Sequence, residues 1–222
     1  MEIIYEDNHL IAVNKKISDI VQRDKSGDLS LEDEIKEYLK IKYNKSGNAF
    51  LGVVHRIDRP VSGVVLFAKT SKALERMNNL FQLKKVNKIY WAIVKNKPPK
   101  DSDVLTHYIL RNQQQNKSYA YDYEVKESKL AQLEYKIIGT SKNYYLLEIN
   151  LFTGRHHQIR CQLAKINCPI KGDLKYGFAR SNKNGGISLH SRKLSFLHPV
   201  ANIPIDIIAK PPENDIWNEF NI

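Results

Sequence analysis

The chain has 222 residues, 42% of them apolar and 27% charged, an ordinary globular mix that excludes a disordered or fibrous protein. No apolar run approaches the roughly 20 residues that cross a bilayer, and the acidic start MEIIYEDNHLIAVNKK lacks the basic stretch of an export signal. Its two cysteines, Cys161 and Cys168, match no common zinc spacing and exclude a disulfide scaffold, so a reducing cytoplasm is expected.

The formal net charge of +11 is unevenly placed. Residues 51–100 hold 11 basic side chains against 2 acidic ones, and residues 151–200 hold 9 against 1, while the other stretches are slightly negative. Folded against one another, these blocks would make a basic face suited to a polyanion; a solvated lysine-rich surface is the plainer reading.

In chain order, IIYEDNHLIAV (3–13) reads as two short strands around a turn at Asp7-Asn8. Ser30 opens a helix with Asp33 completing a capping box, and Leu31, Ile35 and Leu39 form its buried stripe. GVVLFAK (63–69) predicts a buried strand. Thr70 or Ser71 caps a second helix that carries Ala73, Met77, Leu80 and Phe81 on one face. KIYWAIV (88–94) is a further strand, in which alternation puts Tyr90 on the face of Lys88 and Trp91 on the other, core side. The polar stretch 95–130 reads as loops with short strands. LAQLEYKII (130–138) and YYLLEINLF (144–152) are strands joined by GTSKN. A third helix is expected over about 156–166, with Asn167 at its left-handed C-cap and further turns at Gly172, Gly177 and Gly185-Gly186. There is no regular strand–helix alternation, so the class is α+β, a mixed, largely antiparallel sheet with flanking helices, in a single domain spanning 1–222.

Three segments look chemical, one of them KKVNKIYWAIV (84–94), in which Lys84, Lys85 and Lys88 precede an aromatic pair: a tyrosine beside lysines could stack on a base, and a core position is the plain alternative for either aromatic. HRIDRP (55–60) sets His55, Arg56, Asp58 and Arg59 at the mouth of an apolar strand, where a carboxylate between two arginines stays ionised and can serve as nucleophile or base. The plain alternatives are a surface Arg-Asp-Arg cluster and a structural His55. In TGRHHQIR (153–160), Arg155 opens the expected helix against the helix dipole, which calls for an anionic partner. Adjacent helical histidines point about 100° apart, which argues against a shared metal ion at His156-His157.

Together these segments resemble the RluA-type pseudouridine synthases. HRIDRPVSGVVL (55–66) is similar to the family's His-Arg-Leu-Asp-x-x-Thr-Ser-Gly-x-x-Leu, KIYWAIV to its Lys-x-Tyr-x-Ala-x-Val strand, and LFTGRHHQIRCQL to its Thr-Gly-Arg-x-His-Gln-Ile-Arg segment. IIYEDNHLIAVNK, PIKGDLKYG and LHSRKLSFLHP extend the resemblance from Ile3 to Pro199. It implies isomerisation of uridine to pseudouridine in rRNA or tRNA, at a stem-loop from which the target base is flipped. Asp58 would be the catalytic aspartate, acting on C1′ or by proton abstraction at the sugar; Arg155 would pair with it, and Tyr90 would stack on the uracil. His55, Arg56, Arg59, Lys88, His157, Gln158 and Arg160 are expected to bind substrate. No cofactor and no metal are implied, and the protein is expected to be a monomeric, cytoplasmic catalytic domain without the small N-terminal RNA-binding domain of many relatives. Departures are Lys15-Lys16-Ile17-Ser18 where the family often has Lys-Pro-x-Gly, Val61 for Thr, Lys84 for Arg, and Asn167 for Gly. A non-catalytic RNA-binding protein on the same fold is the alternative, which intact Asp58, Tyr90 and Arg155 argue against. A metal-dependent nuclease would need a second acid near Asp58, and residues 51–100 offer only Glu75.

Overall fold

A computed structural model describes residues 1–23, 27–44, 46–213 and 216–220. The chain forms two compact units. The first comprises Met1–Val86 and Ser191–Pro211, the second Asn87–His190 and Pro212–Ile222.

In the first unit, β1 (Ile3–Glu6) and β2 (Leu10–Lys15) form the expected hairpin. Its turn is fixed by Asp7, whose Oδ1 accepts the backbone N–H groups of His9 and Leu10 at 2.7 Å each. α1 (Leu31–Lys42) follows, then the short β3 (Gly52–Val53), β4 (Ser62–Ala68) and α2 (Ser71–Gln82). Ser30 and Asp33 make the predicted capping box, the Ser30 Oγ accepting from Asp33 N–H at 3.3 Å and Asp33 Oδ2 from Ser30 N–H at 3.2 Å. Thr70, rather than Ser71, caps α2 through a 3.2 Å bond from Ala73 N–H. Most of a late strand, β10 (Leu189–Leu197), and all of its antiparallel partner β11 (Pro204–Ile208) complete the order β1-β2-β4-β10-β11.

Every residue of β4 is buried, as its unbroken apolar run predicts. Its even positions Val64, Leu66 and Ala68 pack with Ala73 and Met77 of α2, and its odd positions Val65 and Phe67 pack with Ile35 and Leu39 of α1. A strand covered on both faces is rigid, and its N-terminal end is a firm base for the loop that enters it.

The second unit holds β5 (Asn87–Val94), β6 (Ser102–Asn112), β7 (Lys117–Tyr121), β8 (Lys129–Thr140), β9 (Tyr145–Leu151) and α3 (Gln158–Lys165). Its strands run antiparallel in the order β5-β9-β8-β6-β7. The stretch expected to be mostly loop therefore contains an 11-residue strand and its hairpin partner. The polar residues conceal a two-residue period: Leu105, His107 and Ile109 are buried, while Val104 and Thr106 face out. α3 lies on one sheet face, where Ile109, Ala131, Cys161 and Tyr176 cluster. On the opposite face Trp217 and Phe220 cover Trp91, Ile93 and Leu146, so Trp91 is core, as alternation predicts.

α3 starts at Gln158, two residues later than expected, because His157 takes the left-handed conformation at φ 52°, ψ 26°. Asn167 adopts φ 60° past the helix end, the position predicted for it. The class is α+β. No helix among the described residues is long and apolar enough to cross a membrane.

Candidate active site

In the first unit, the loop carrying Asp58 closes as a turn, Val61 N–H donating to Asp58 O at 3.0 Å. It then enters β4 through Gly63, whose φ is +113° and whose absent Cβ would lie 2.2 Å from Ser191 O and 2.6 Å from Ser191 N. Only glycine allows this approach of two backbones, so Gly63 anchors the catalytic-type loop to the next strand.

A residue the sequence reading passed over braces the same loop. Lys15 ends β2 directly opposite Gly63. It is 1% exposed, and its ammonium donates to the carbonyls of Lys16 at 2.9 Å and Arg59 at 3.0 Å. Burial pushes its pKa down to about 8, against the raising influence of the Asp19 and Asp58 carboxylates. Asp58 thus has a buried cation for a neighbour that also holds the next residue's backbone. The signal was present: Lys15 shares a strand face with Ile11 and Val13, both fully buried.

The other charged residues of this loop divide. Arg56 is exposed. Arg59 is half-exposed and pairs with Asp28 at 2.7 Å rather than flanking Asp58 only as a bare charge. His55 accepts the Leu66 N–H on Nε2 at 3.1 Å and stacks on Phe81 at 5.4 Å between centroids. Through these contacts His55, expected to bind substrate, ties the loop to β4 and α2.

In the second unit, Tyr90 and Lys88 share one face of β5, opposite Trp91, and Tyr90 is 8% exposed. Lys88 Nζ lies 4.0 Å from the position a Cβ on Gly154 would take, so the lysine reaches the TGR turn. Arg155 is not the first helical residue, contrary to expectation; it precedes α3 by a full turn, so the helix dipole is not what constrains it. Gln158 does so. Its Oε1 accepts from Thr153 Oγ1 at 2.7 Å and from Arg155 N–H at 3.0 Å, and its Nε2 donates to Gln132 O at 3.1 Å. Arg155 Nε donates to Leu130 O at 3.0 Å, which fixes the plane of an exposed guanidinium.

Gln158, His157 and Arg160, expected to bind substrate, each have partners within the protein. All three are buried. The Arg160 fork grips Asp173, Nε to Oδ2 at 2.7 Å and Nη2 to Oδ1 at 2.9 Å, with its carbon centre 5.0 Å from the Tyr176 ring centroid. Tyr176 OH accepts from Ser118 N–H at 2.8 Å and meets His157 Nδ1 at 2.9 Å. Asp173, the only acid in 151–200, was the partner a buried arginine there required. His156 stacks on His157 at 3.8 Å between centroids instead of diverging from it, because His157 is not helical. Among the described residues no three His, Cys, Asp or Glu side chains converge to hold a metal ion.

Each unit thus presents one functional group from a braced loop, a carboxylate in the first and a guanidinium beside a tyrosine-bearing strand in the second. Comparison with known proteins agrees on what such loops belong to. Residues 9–165 match the family model described as RNA pseudouridylate synthase. Ribosomal large subunit pseudouridine synthase C of Rickettsia prowazekii (strain Madrid E) is 36% identical over 176 residues, covering 79% of this chain and 56% of the relative. The tRNA pseudouridine synthase C of Vibrio parahaemolyticus is 27% identical over 238 residues, covering 99% of this chain and 93% of the relative. The chain thus spans little more than half the length of the first of these. Among solved structures, Human RNA Pseudouridylate Synthase Domain Containing 4 superposes with a TM-score of 0.79 at 23% identity, covering 96% of this chain and 89% of the other.

Proposed function

Because this chain belongs to the RNA pseudouridylate synthase family, we propose that it isomerises uridine to pseudouridine in structured ribosomal or transfer RNA. The observation that carries this is the Asp58 loop: the family's motif, with Val61 in place of Thr, around a carboxylate whose loop is clamped by Gly63 and Lys15. The family match includes residues of both units.

In the reaction the N1–C1′ bond breaks, the uracil turns, and C5 bonds to C1′. The C5 proton leaves to water and N1 gains one, so substrate and product are isomers and no cofactor is needed. Asp58 acts on the sugar, at C1′ or by removing a sugar proton. Arg155 pairs with Asp58, its fork set by Leu130 and Gln158. Tyr90 stacks on the flipped base, and Lys88, Arg56 and Arg59 meet phosphates. The two buried free thiols, Cys161 and Cys168, suit a monomeric enzyme of the reducing cytoplasm.

The test is tritium release from RNA labelled at C5 of uridine. Wild type should release label, and Asp58→Asn, which keeps shape and RNA affinity, should release none. RNA binding without release by wild type would instead indicate a non-catalytic RNA-binding protein.

A further inference from the structure

Positive charge collects at one corner of the second unit, where the hairpin of β6 and β7 meets the segment around Tyr176. Arg111 stands directly opposite Ser118 across the hairpin. Ser118 is tied to two other segments: its N–H donates to Tyr176 OH at 2.8 Å, and its Oγ lies 2.8 Å from His156 Nδ1. Lys117 Nζ sits 5.3 Å from the Tyr176 ring centroid and 5.4 Å from that of Tyr119. Lys175 donates from Nζ to Asn116 O at 3.0 Å. Arg111, Lys117 and Lys175 therefore gather round the Ser118–Tyr176 bond, and the two lysines are held there by ring faces and by a carbonyl.

A solvated lysine-rich surface describes the neighbouring loop well, since Lys126 and Lys129 match Glu124 and Glu127 there. It does not describe this corner. Residues 104–121 and 174–190 contain no Asp or Glu. The acids that border these segments are engaged elsewhere, Asp173 by Arg160 at 2.7 Å and Asp122 by Lys165 at 2.8 Å. Like charges held together without a carboxylate repel one another, and a bound anion removes that cost.

The corner belongs to the sheet face that carries Tyr90. Arg111 continues the alternating series Leu105, His107 and Ile109, the last of which packs with Cys161 of α3. Leu105 and His107 stand opposite Leu133 and Ala131, which share a face with Tyr135. Tyr135 and Tyr90 both stand opposite Ile149. One face thus runs from Tyr90 to Arg111. The corner also lies at the Arg155 end of the sheet. Arg155 bonds to Leu130 O, Leu130 is opposite Tyr108, and Arg111 follows Tyr108 along β6 by about 10 Å at the usual strand rise. His156, next to Arg155, completes the connection through Ser118.

We infer that Arg111, Lys117 and Lys175 form a subsite for backbone phosphates of the substrate RNA, on the strand that leads away from the nucleotide at Tyr90 and Arg155. This rests on the proposed function and adds to it a contact that grips the flank of the target without reading its bases.

The experiment is filter retention of an unmodified transfer RNA transcript and of a ribosomal RNA hairpin from about 50 to 200 mM salt. Each phosphate contact adds roughly 0.7–0.9 to the salt slope, a factor of about five to eight in affinity at about 0.1 M salt. The variant Arg111→Gln/Lys117→Gln/Lys175→Gln should therefore flatten the slope by roughly 2–3 and weaken binding of at least one of these RNAs by about a hundredfold to five-hundredfold at that salt. The control Lys95→Gln/Lys136→Gln/Lys142→Gln removes the same charge from exposed positions at the opposite end of the sheet, and should retain most of the wild-type slope and affinity. If the triple variant does not fold, Lys117→Gln alone should show the slope change of a single contact. Wild-type slope and affinity in the first variant, or equal losses in the control, overturn the proposal. So does saturable competition by inorganic phosphate beyond that of chloride at equal ionic strength, which would make this a site for the free anion. Tritium release by wild type is measured separately. If it is absent while the slopes separate as expected, the catalytic reading fails and the subsite stands.

Discussion

Replacing Lys15 by methionine should separate the stability of the fold from the geometry of the Asp58 loop. The shift of the lysine from 10.5 to about 8 means that its buried charge costs the folded state roughly 3 kcal/mol relative to the unfolded chain. Methionine of similar length removes that cost. It also leaves the Lys16 and Arg59 carbonyls without their donor, at about 1–3 kcal/mol each. The two effects oppose each other, so the melting temperature at pH 7 should move by no more than a few degrees. Turnover should fall far more, on the order of a hundredfold, because the loop loses its tether beside Asp58. The pH dependence provides a second readout. Between pH 8 and 10.5 the unfolded chain binds the proton that folded Lys15 has lost, so this group makes wild type gain stability as pH rises, by up to about 3 kcal/mol. Lys15→Met should lack that gain. Denaturant melts of both proteins from pH 7 to 10.5, with tritium release at pH 7, test the reasoning. A variant that unfolds readily yet keeps its turnover would refute it.

Gly63→Ala should destabilise by roughly 3–5 kcal/mol in a denaturant melt, through the strained φ and the clash with the Ser191 backbone; a loss under 1 kcal/mol would mean the strands move apart freely. Burial raises the Glu6 pKa, but bonds from Lys42, Lys69, Tyr43 and Tyr38 outweigh it and pull it from 4.5 to about 2. That stabilisation is complete above pH 4.5 and disappears as pH falls through 2, roughly 3 kcal/mol, so Glu6→Gln should flatten the acid limb of a stability–pH curve. Trp91→Ala should cost about 3–5 kcal/mol of stability by emptying the cluster with Trp217 and Phe220. Tyr90→Ala, on the other face, should abolish tritium release even where circular dichroism shows a folded chain.

The elements most legible in the sequence were those whose local and tertiary requirements coincide. The apolar run of β4, the Ser30–Asp33 box and the Ala73–Met77 stripe each need only their own neighbours to be recognised. β6 was missed because a half-buried strand with His107 inward and Thr106 outward looks polar on average, although its alternation is regular. The start of α3 was misplaced because a left-handed histidine is invisible to periodicity. Among site residues, the motifs located Asp58, Tyr90 and Arg155 by resemblance. They could not distinguish Arg59, with a side chain at the surface, from Arg160, enclosed with Asp173. That distinction depends on partners far along the chain.

The interleaved path of the chain bears on how the protein is made. The first unit takes Leu194, Phe196, Ile207 and Ala209 into the core that α2 shares with β4, and these arrive more than a hundred residues after β4 itself. The second unit also waits for its end, since Trp217 and Phe220 cover Trp91 and Ile93. On the ribosome, then, neither unit is finished until residues 194–220 have been made. β4 meanwhile presents a bare apolar edge where β10 will add. Synthesis from one end gives this topology no early, self-sufficient fragment, so the nascent chain depends on protection from aggregation until those residues emerge.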